Sequence, residues 1–152
     1  MNKIYEFNYN FNREFLLEEA LDNEGWTNFI DPSNGHVFEK WFIKKINNGY
    51  AKQISDEFAL KLNTPNKPRF LYQKAGFTIP FHQDRGTLCS INFILNDTQD
   101  KISFKDEDVF YKTALLNTQI EHAVINPMND RIMLKLSIFD KTYNEVLKCI
   151  TA

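Results

Sequence analysis

Beyond Pro68 the chain is written in short runs that leave no room for a long helix. Residues 69–74, 78–83, 88–95, 101–104, 109–115, 121–125 and 132–139 are rich in Ile, Val, Leu, Phe and Tyr, and polar turns separate them. Runs of this length and composition are strands, and so many at such close spacing predict an antiparallel sandwich or barrel. The 14 Phe provide ample core material, while five Gly and five Pro leave no low-complexity linker.

The first third reads differently. Asn12 is placed to cap a helix over 12–21, and Asp31-Pro-Ser-Asn-Gly35 is a turn cluster. From Val37 to Leu62 the spacing of Val37, Trp41, Ile46, Tyr50, Ile54, Phe58 and Leu62 approaches the helical period. Asn47-Asn-Gly49 would break it into two helices. The tail after Lys141 predicts a short closing helix. The expectation is a mainly β chain with N-terminal helices, forming a single domain over 1–152. Residues 1–66 would be mainly helical support, 67–140 the β core and 141–152 a tail.

Charge narrows the function classes. With 18 basic and 20 acidic residues, a net charge of −2 offers no bulk attraction for nucleic acid or an anionic membrane. Cys89 and Cys149 lack Cys-x-x-Cys spacing and read as reduced thiols. No run approaches the roughly 18 apolar residues of a membrane span or the pattern of a signal peptide. A cytoplasmic protein is expected.

His82 and Asp84 stand two apart in Phe77-Thr-Ile-Pro-Phe-His-Gln-Asp84, so in a strand they leave the same face. His122 lies in a later β-like run, and Arg131 heads the last one. A His-x-Asp pair alone is more often a surface hydrogen-bonded pair than a metal site. Its weight comes from company, since two of only three His occupy the expected places and one of only four Arg follows the second His at workable spacing, all within the β-rich half. Two imidazoles and a carboxylate form the facial triad of non-haem Fe(II) oxygenases, which leaves positions open on the metal. A planar, permanently charged guanidinium is apt for a dicarboxylic co-substrate.

Four stretches carry a family resemblance: Ala75-Gly-Phe-Thr-Ile-Pro-Phe-His82-Gln-Asp84, Leu88-Cys-Ser-Ile-Asn-Phe-Ile-Leu-Asn96, Asn117-Thr-Gln-Ile-Glu-His122-Ala-Val-Ile-Asn126 and Asp130-Arg131. Over roughly half the chain it resembles the Fe(II)/2-oxoglutarate-dependent dioxygenases. Within them it is most similar to the aspartyl/asparaginyl β-hydroxylase and proline-hydroxylase-like group. The resemblance implies a double-stranded β-helix, a cupin-like jelly roll flanked by helices. It implies Fe(II) on His82, Asp84 and His122, and 2-oxoglutarate with its C5 carboxylate on Arg131. The implied reaction hydroxylates an unactivated C–H of an amino acid or of a peptide or protein side chain with O2, hydroxylation being favoured because Asp84 fills the position a halide would need. Relatives tend to carry basic or imidazole residues on the strand after the first His, where this chain has Ser90 and Asn92, so the C1 carboxylate contacts are not assigned.

Further candidates are less specific. Ser90, Asn92 and Tyr72 are candidate co-substrate contacts. The competing expectations are a solvated strand face for the first two and core packing for the tyrosine. Lys135 shares a face with Arg131 and points inward unless a bulge shifts the register. Arg85 is a candidate for a substrate carboxylate or a solvated loop residue, His36 a surface or capping residue, Trp26 and Trp41 core or lid packing. Asn47-Asn-Gly-Tyr50 is a candidate loop over the site. Two other functions stay open: a catalytically silent jelly-roll binding module, and a cupin-type metalloenzyme that does not use 2-oxoglutarate.

Overall fold

A computed structural model describes residues 3–22 and 24–152. Among them, the chain order is β1 (Ile4–Glu6), α1 (Arg13–Leu21), β2 (Trp26–Ile30), β3 (Val37–Lys45), α2 (Gly49–Leu62), β4 (Lys67–Gln73), β5 (Ile79–His82), β6 (Cys89–Ile94), β7 (Ile102–Phe104), β8 (Asp108–Val109), β9 (Thr113–Leu116), β10 (His122–Val124), β11 (Arg131–Ile138) and α3 (Tyr143–Ile150). The strands form a larger antiparallel sheet in the order β1-β9-β6-β11-β4-β3-β2 and a smaller one in the order β5-β10-β7-β8. The protein is therefore mainly β, with two antiparallel sheets consistent with a jelly roll. No helix among the described residues is long and apolar enough to cross a membrane.

Alternation along the central strands divides the interior into two layers. Phe70, Ile91, Phe93, Leu134 and Leu136 project from one face of the larger sheet onto Leu16, Ile54, Phe58 and Val146 of the helices. The residues between them project the other way. Leu71, Ile94, Ala114 and Met133 meet Ile102 and Phe104 of the smaller sheet. Chemistry is confined to this second layer.

One sequence expectation is corrected. The stretch from Val37 to Lys45 is a strand and not a helix, and with β1 and β2 it makes residues 1–66 a mixture of strand and helix. Trp41 pairs with Gln73, and Ile43 with Leu71, in a continuous ladder on β4. That pairing and the β preference of Val, Phe, Trp and Ile override an approximate helical spacing. The Asp31 cluster makes the turn from β2 to β3, with the Gly35 N–H donating to the Asp31 carbonyl at 2.8 Å and Gly35 at φ +73°. Helix α2 begins at Gly49, where Glu19 accepts from the N–H groups of Tyr50 and Ala51 at 2.8 and 3.0 Å. Asn47 to Tyr50 thus lie on the helical side, and Tyr50 packs in its core, away from the cavities described below. They form no loop over the site.

Candidate metal centre

The smaller sheet brings the histidines together. His82 at the end of β5 lies directly opposite His122 at the start of β10, and their ring centroids are 4.4 Å apart. Asp84 falls just beyond β5. Its N–H donates to the Thr118 carbonyl at 3.0 Å, and the Gln119 side chain donates to its carbonyl at 3.2 Å, tying the segment to the turn that leads into His122. The Nε2 atoms of both histidines then stand 3.3 Å from Asp84 Oδ1.

Hydrogen bonding sets the tautomers. Nδ1 of His82 contacts the Pro80 carbonyl at 2.7 Å and Nδ1 of His122 the Ile120 carbonyl at 2.8 Å. A carbonyl only accepts, so each Nδ1 carries a proton and a neutral ring turns its Nε2 lone pair inward. Two lone pairs facing a carboxylate oxygen repel one another unless a proton or a metal ion lies between them. Bonds of roughly 2.0–2.2 Å place neighbouring donors about 3.0 Å apart at right angles and about 3.4 Å apart in a tetrahedron. The separations fit a first-row metal ion. His82, Asp84 and His122 offer ligand atoms all within 4.8 Å of one another.

The other Asp84 oxygen is also engaged. Lys135 Nζ donates to Oδ2 at 2.6 Å. Burial pushes the Asp84 carboxyl up, but Lys135 and the two histidines outweigh it and hold its pKa below the usual carboxylate range. Burial pulls His82 down, and Asp84 with the Pro80 carbonyl reverses this to a net rise.

Two cavities flank these residues and share Trp41, Leu71, Ile79, His82 and Lys135 in their walls. The inner one, about 70 Å³, lies between the sheets and is lined by Gln73, Asn92, Tyr111, His122 and Arg131. A water needs roughly 10–15 Å³ by this measure, so several small polar groups fit. Arg131 is 4 % exposed, its Nε has no acceptor, and no hydrogen bond reaches its guanidinium among the described residues. The outer cavity, about 460 Å³, opens past Arg69, Arg85 and the aromatic rings of β2 and β3.

The other sequence candidates divide by face. Ser90 and Asn92 are buried and inward, so neither is solvated. Asn92 lines the inner cavity and donates to Tyr111 Oη at 3.2 Å, while Ser90 donates to Asn92 Oδ1 at 2.9 Å. Tyr72 is a correction. It lies between the inward Leu71 and Gln73, faces the helical layer against Trp26, and donates to Asp130 Oδ2 at 2.7 Å. Trp26 is core, donating to the Ala20 carbonyl at 3.0 Å, whereas Trp41 lines both cavities. Arg85 is exposed at the outer mouth, and exposed His36 packs edge-on against Phe38. Gln73, Tyr111 and Arg69 were not singled out from sequence. Stepping by two from Arg131 through its β4 partner Gln73 reaches Leu71 and Arg69, a signal that needs the β4–β11 register.

The sequence matches no family model and no curated protein. Solved structures do match, prolyl hydroxylases among them. A prolyl hydroxylase from Trichoplax adhaerens, in complex with a hypoxia-inducible factor oxygen degradation domain peptide, superposes with a TM-score of 0.68 at 15 % identity, over 95 % of this chain and 85 % of that one. A Pseudomonas putida prolyl-4-hydroxylase gives 0.61 at 18 % identity, over 84 % and 86 %. The viral collagen prolyl hydroxylase of Paramecium Bursaria Chlorella virus-1 gives 0.55 at 13 %, over 83 % and 82 %. At such identities the likeness is one of fold, and this chain shares the prolyl hydroxylase fold over most of its length.

Proposed function

We propose that this chain is a single-domain Fe(II)- and 2-oxoglutarate-dependent oxygenase that hydroxylates an unactivated C–H of an amino acid or of a peptide or protein side chain. The observation that carries the reading is the convergence of His82, Asp84 and His122 beside a buried guanidinium whose Nε has no acceptor among the described residues and on which Asp100 acts through its field. In this reading the two Nε2 atoms and Asp84 Oδ1 hold the iron. With 2-oxoglutarate and O2, the metal supplies the oxidation chemistry when bound. Arg131 receives the C5 carboxylate as a forked, charge-assisted pair, and Asn92, Tyr111 and Gln73 offer polar atoms along the same cavity. Lys135 keeps Oδ2 occupied, so Asp84 presents one oxygen and leaves the other metal positions for co-substrate. The fold shared with prolyl hydroxylases, one of them bound to a peptide, supports the same class and is compatible with a peptide substrate. The aspartyl/asparaginyl part of the resemblance rests on sequence alone.

The test is anaerobic loading with Fe(II) and then 2-oxoglutarate, read as a visible metal-to-ligand charge-transfer band, followed by succinate formation in air. His122→Ala and Asp84→Ala should abolish both signals. Arg131→Gln should keep iron and weaken 2-oxoglutarate by about tenfold or more. Full coupled turnover in the His122 or Asp84 variant would refute the assignment.

One observation favours a second reading, a silent anion-binding module. Lys135 already neutralises Asp84 without a metal. That module predicts 2-oxoglutarate binding that is indifferent to iron and gives no charge-transfer band.

A further inference from the structure

The outer cavity contains a second guanidinium, half-buried, that the proposed co-substrate chemistry does not use. Arg69 lies on β4 opposite Lys135 of β11, on the inward face. One of its N–H groups donates to Ser137 Oγ at 3.0 Å, and its buried Nε has no acceptor. No carboxylate pairs with it among the described residues. Asp84, the acid nearest in effect, is engaged by Lys135 and the histidines, and Asp31 at the rim lies in the field of Arg85 and accepts from Ser33. Burial opposes the charge on Arg69 and the field of Asp84 supports it, so the guanidinium is a partly desolvated cation with no ion pair among the described residues.

One side of the cavity is apolar, while Gln83, Asp84, Arg85 and Lys135 make another part of its lining polar. Phe29 stacks on Trp41 with centroids 3.9 Å apart and planes 19° from parallel, and Phe38, Ile79 and Pro80 complete that side. At about 460 Å³ the cavity is in the usual range for a small-molecule site, and it reaches His82 and Asp84. A single guanidinium fork suits one carboxylate, and the aromatic wall suits an apolar body attached to it.

We infer that the outer cavity binds a monocarboxylate with an apolar body, its carboxylate on Arg69 and its apolar part against Phe29, Phe38 and Trp41. That this acid is the molecule to be oxidised rests on the oxygenase reading; the anion site itself does not. The triad then lies between two anion receptors, Arg131 inside for the co-substrate and Arg69 outside for the substrate.

The probe pair is 3-phenylpropanoate and 3-phenylpropanamide, titrated calorimetrically into the full chain, first metal-free and then loaded anaerobically with Fe(II) and saturating 2-oxoglutarate. The acid should bind saturably and at least tenfold more tightly than the amide in both states. Arg69→Gln should erase that difference, Arg69→Lys should restore part of it, and Arg131→Gln should weaken 2-oxoglutarate while preserving it. Equal binding of acid and amide to the wild-type chain, no saturable binding of the acid, displacement of the acid by 2-oxoglutarate, or a difference that survives Arg69→Gln would each overturn the site. The acid–amide difference without iron or 2-oxoglutarate binding would support the Arg69 site and sink the oxygenase reading. The reverse pattern would sink the Arg69 site alone.

Discussion

Asp84 divides its two oxygens between two kinds of cation. Oδ1 faces the imidazoles of the candidate metal centre, and Oδ2 holds the Lys135 ammonium. Among the described residues Lys135 is the permanently charged partner touching this carboxylate, whose side chain is 12 % exposed. Lys135→Met should therefore destabilise the metal-free protein by about 3 kcal/mol, the scale for stripping one partner from a buried ion pair. Fe(II) supplies replacement charge to the folded state alone, so the metal-induced rise in melting temperature should be larger in the variant than in wild type. Anaerobic thermal unfolding with and without Fe(II) measures this, and an equal or smaller rise would show that Lys135 does not share the metal's role. The triad was legible in the sequence because residue type and two-residue spacing survive without a fold. Lys135 was legible as sharing a face with Arg131. Arg69 and Gln73 were not singled out, because their place depends on how β4 pairs with β11.

At the scale of elements, Asp130 fastens the start of β11 and with it Arg131. Its carboxylate accepts from the Tyr72 hydroxyl at 2.7 Å and the Ala75 N–H at 2.8 Å, while the Asn96 side chain donates to its carbonyl at 2.6 Å. Burial pushes the Asp130 carboxyl up, but Tyr72, Ala75 and Lys74 prevail and its pKa is lowered. A depressed carboxylate stabilises the fold above its unfolded pKa, about 3.9, and this contribution fades as pH falls through the native value. Asp130→Asn should cost about 1 kcal/mol at neutral pH, discounted because the carboxylate is partly exposed. The gap to wild type should close below about pH 4, as urea unfolding across pH would show. A gap that widened in acid would be inconsistent with this linkage. Tyr72 reads as a candidate co-substrate contact because it lies on the strand before the His-x-Asp pair and carries a hydroxyl donor. Alternation decides otherwise, since its neighbours Leu71 and Gln73 point inward. The β3 strand imitates a helix for a related reason: Val37 and Trp41 stand four residues apart with Ile46 five further on, and the ladder on β4 shows that Trp41 and Ile43 share the inward face.

At the scale of the whole molecule, the larger sheet separates two tasks. The helices cover one face with an apolar layer, and the other face carries Arg69, Gln73, Asn92, Arg131 and Lys135. The sequence foretold strands in quantity, but not that β1 pairs with β9 or that β3 joins β4, because partners far apart in the chain leave no local signature. The separation predicts which damage reaches the site. Phe58 is 2 % exposed and packs against Tyr9 and Phe93 with centroids 4.8 and 5.9 Å away, wholly within the helical layer. Phe58→Ala should cost about 3–5 kcal/mol, a loss of roughly 6–20 °C in melting temperature for a domain of this size. Yet Phe93 is anchored to a strand whose neighbouring residue, Asn92, faces the inner cavity, so the sheet itself is the only route by which the void can be felt there. A close-packed sheet bound on both edges of β6 should hold Asn92 in place. Well below the unfolding temperature, Fe(II) and 2-oxoglutarate should then bind the variant within about twofold of wild type, since sites with no shared partner act nearly independently. Calorimetric titration at low temperature beside a melting curve tests both halves. A collapse of ligand affinity in protein that is still folded would mean that the helical layer helps shape the site instead of merely supporting it.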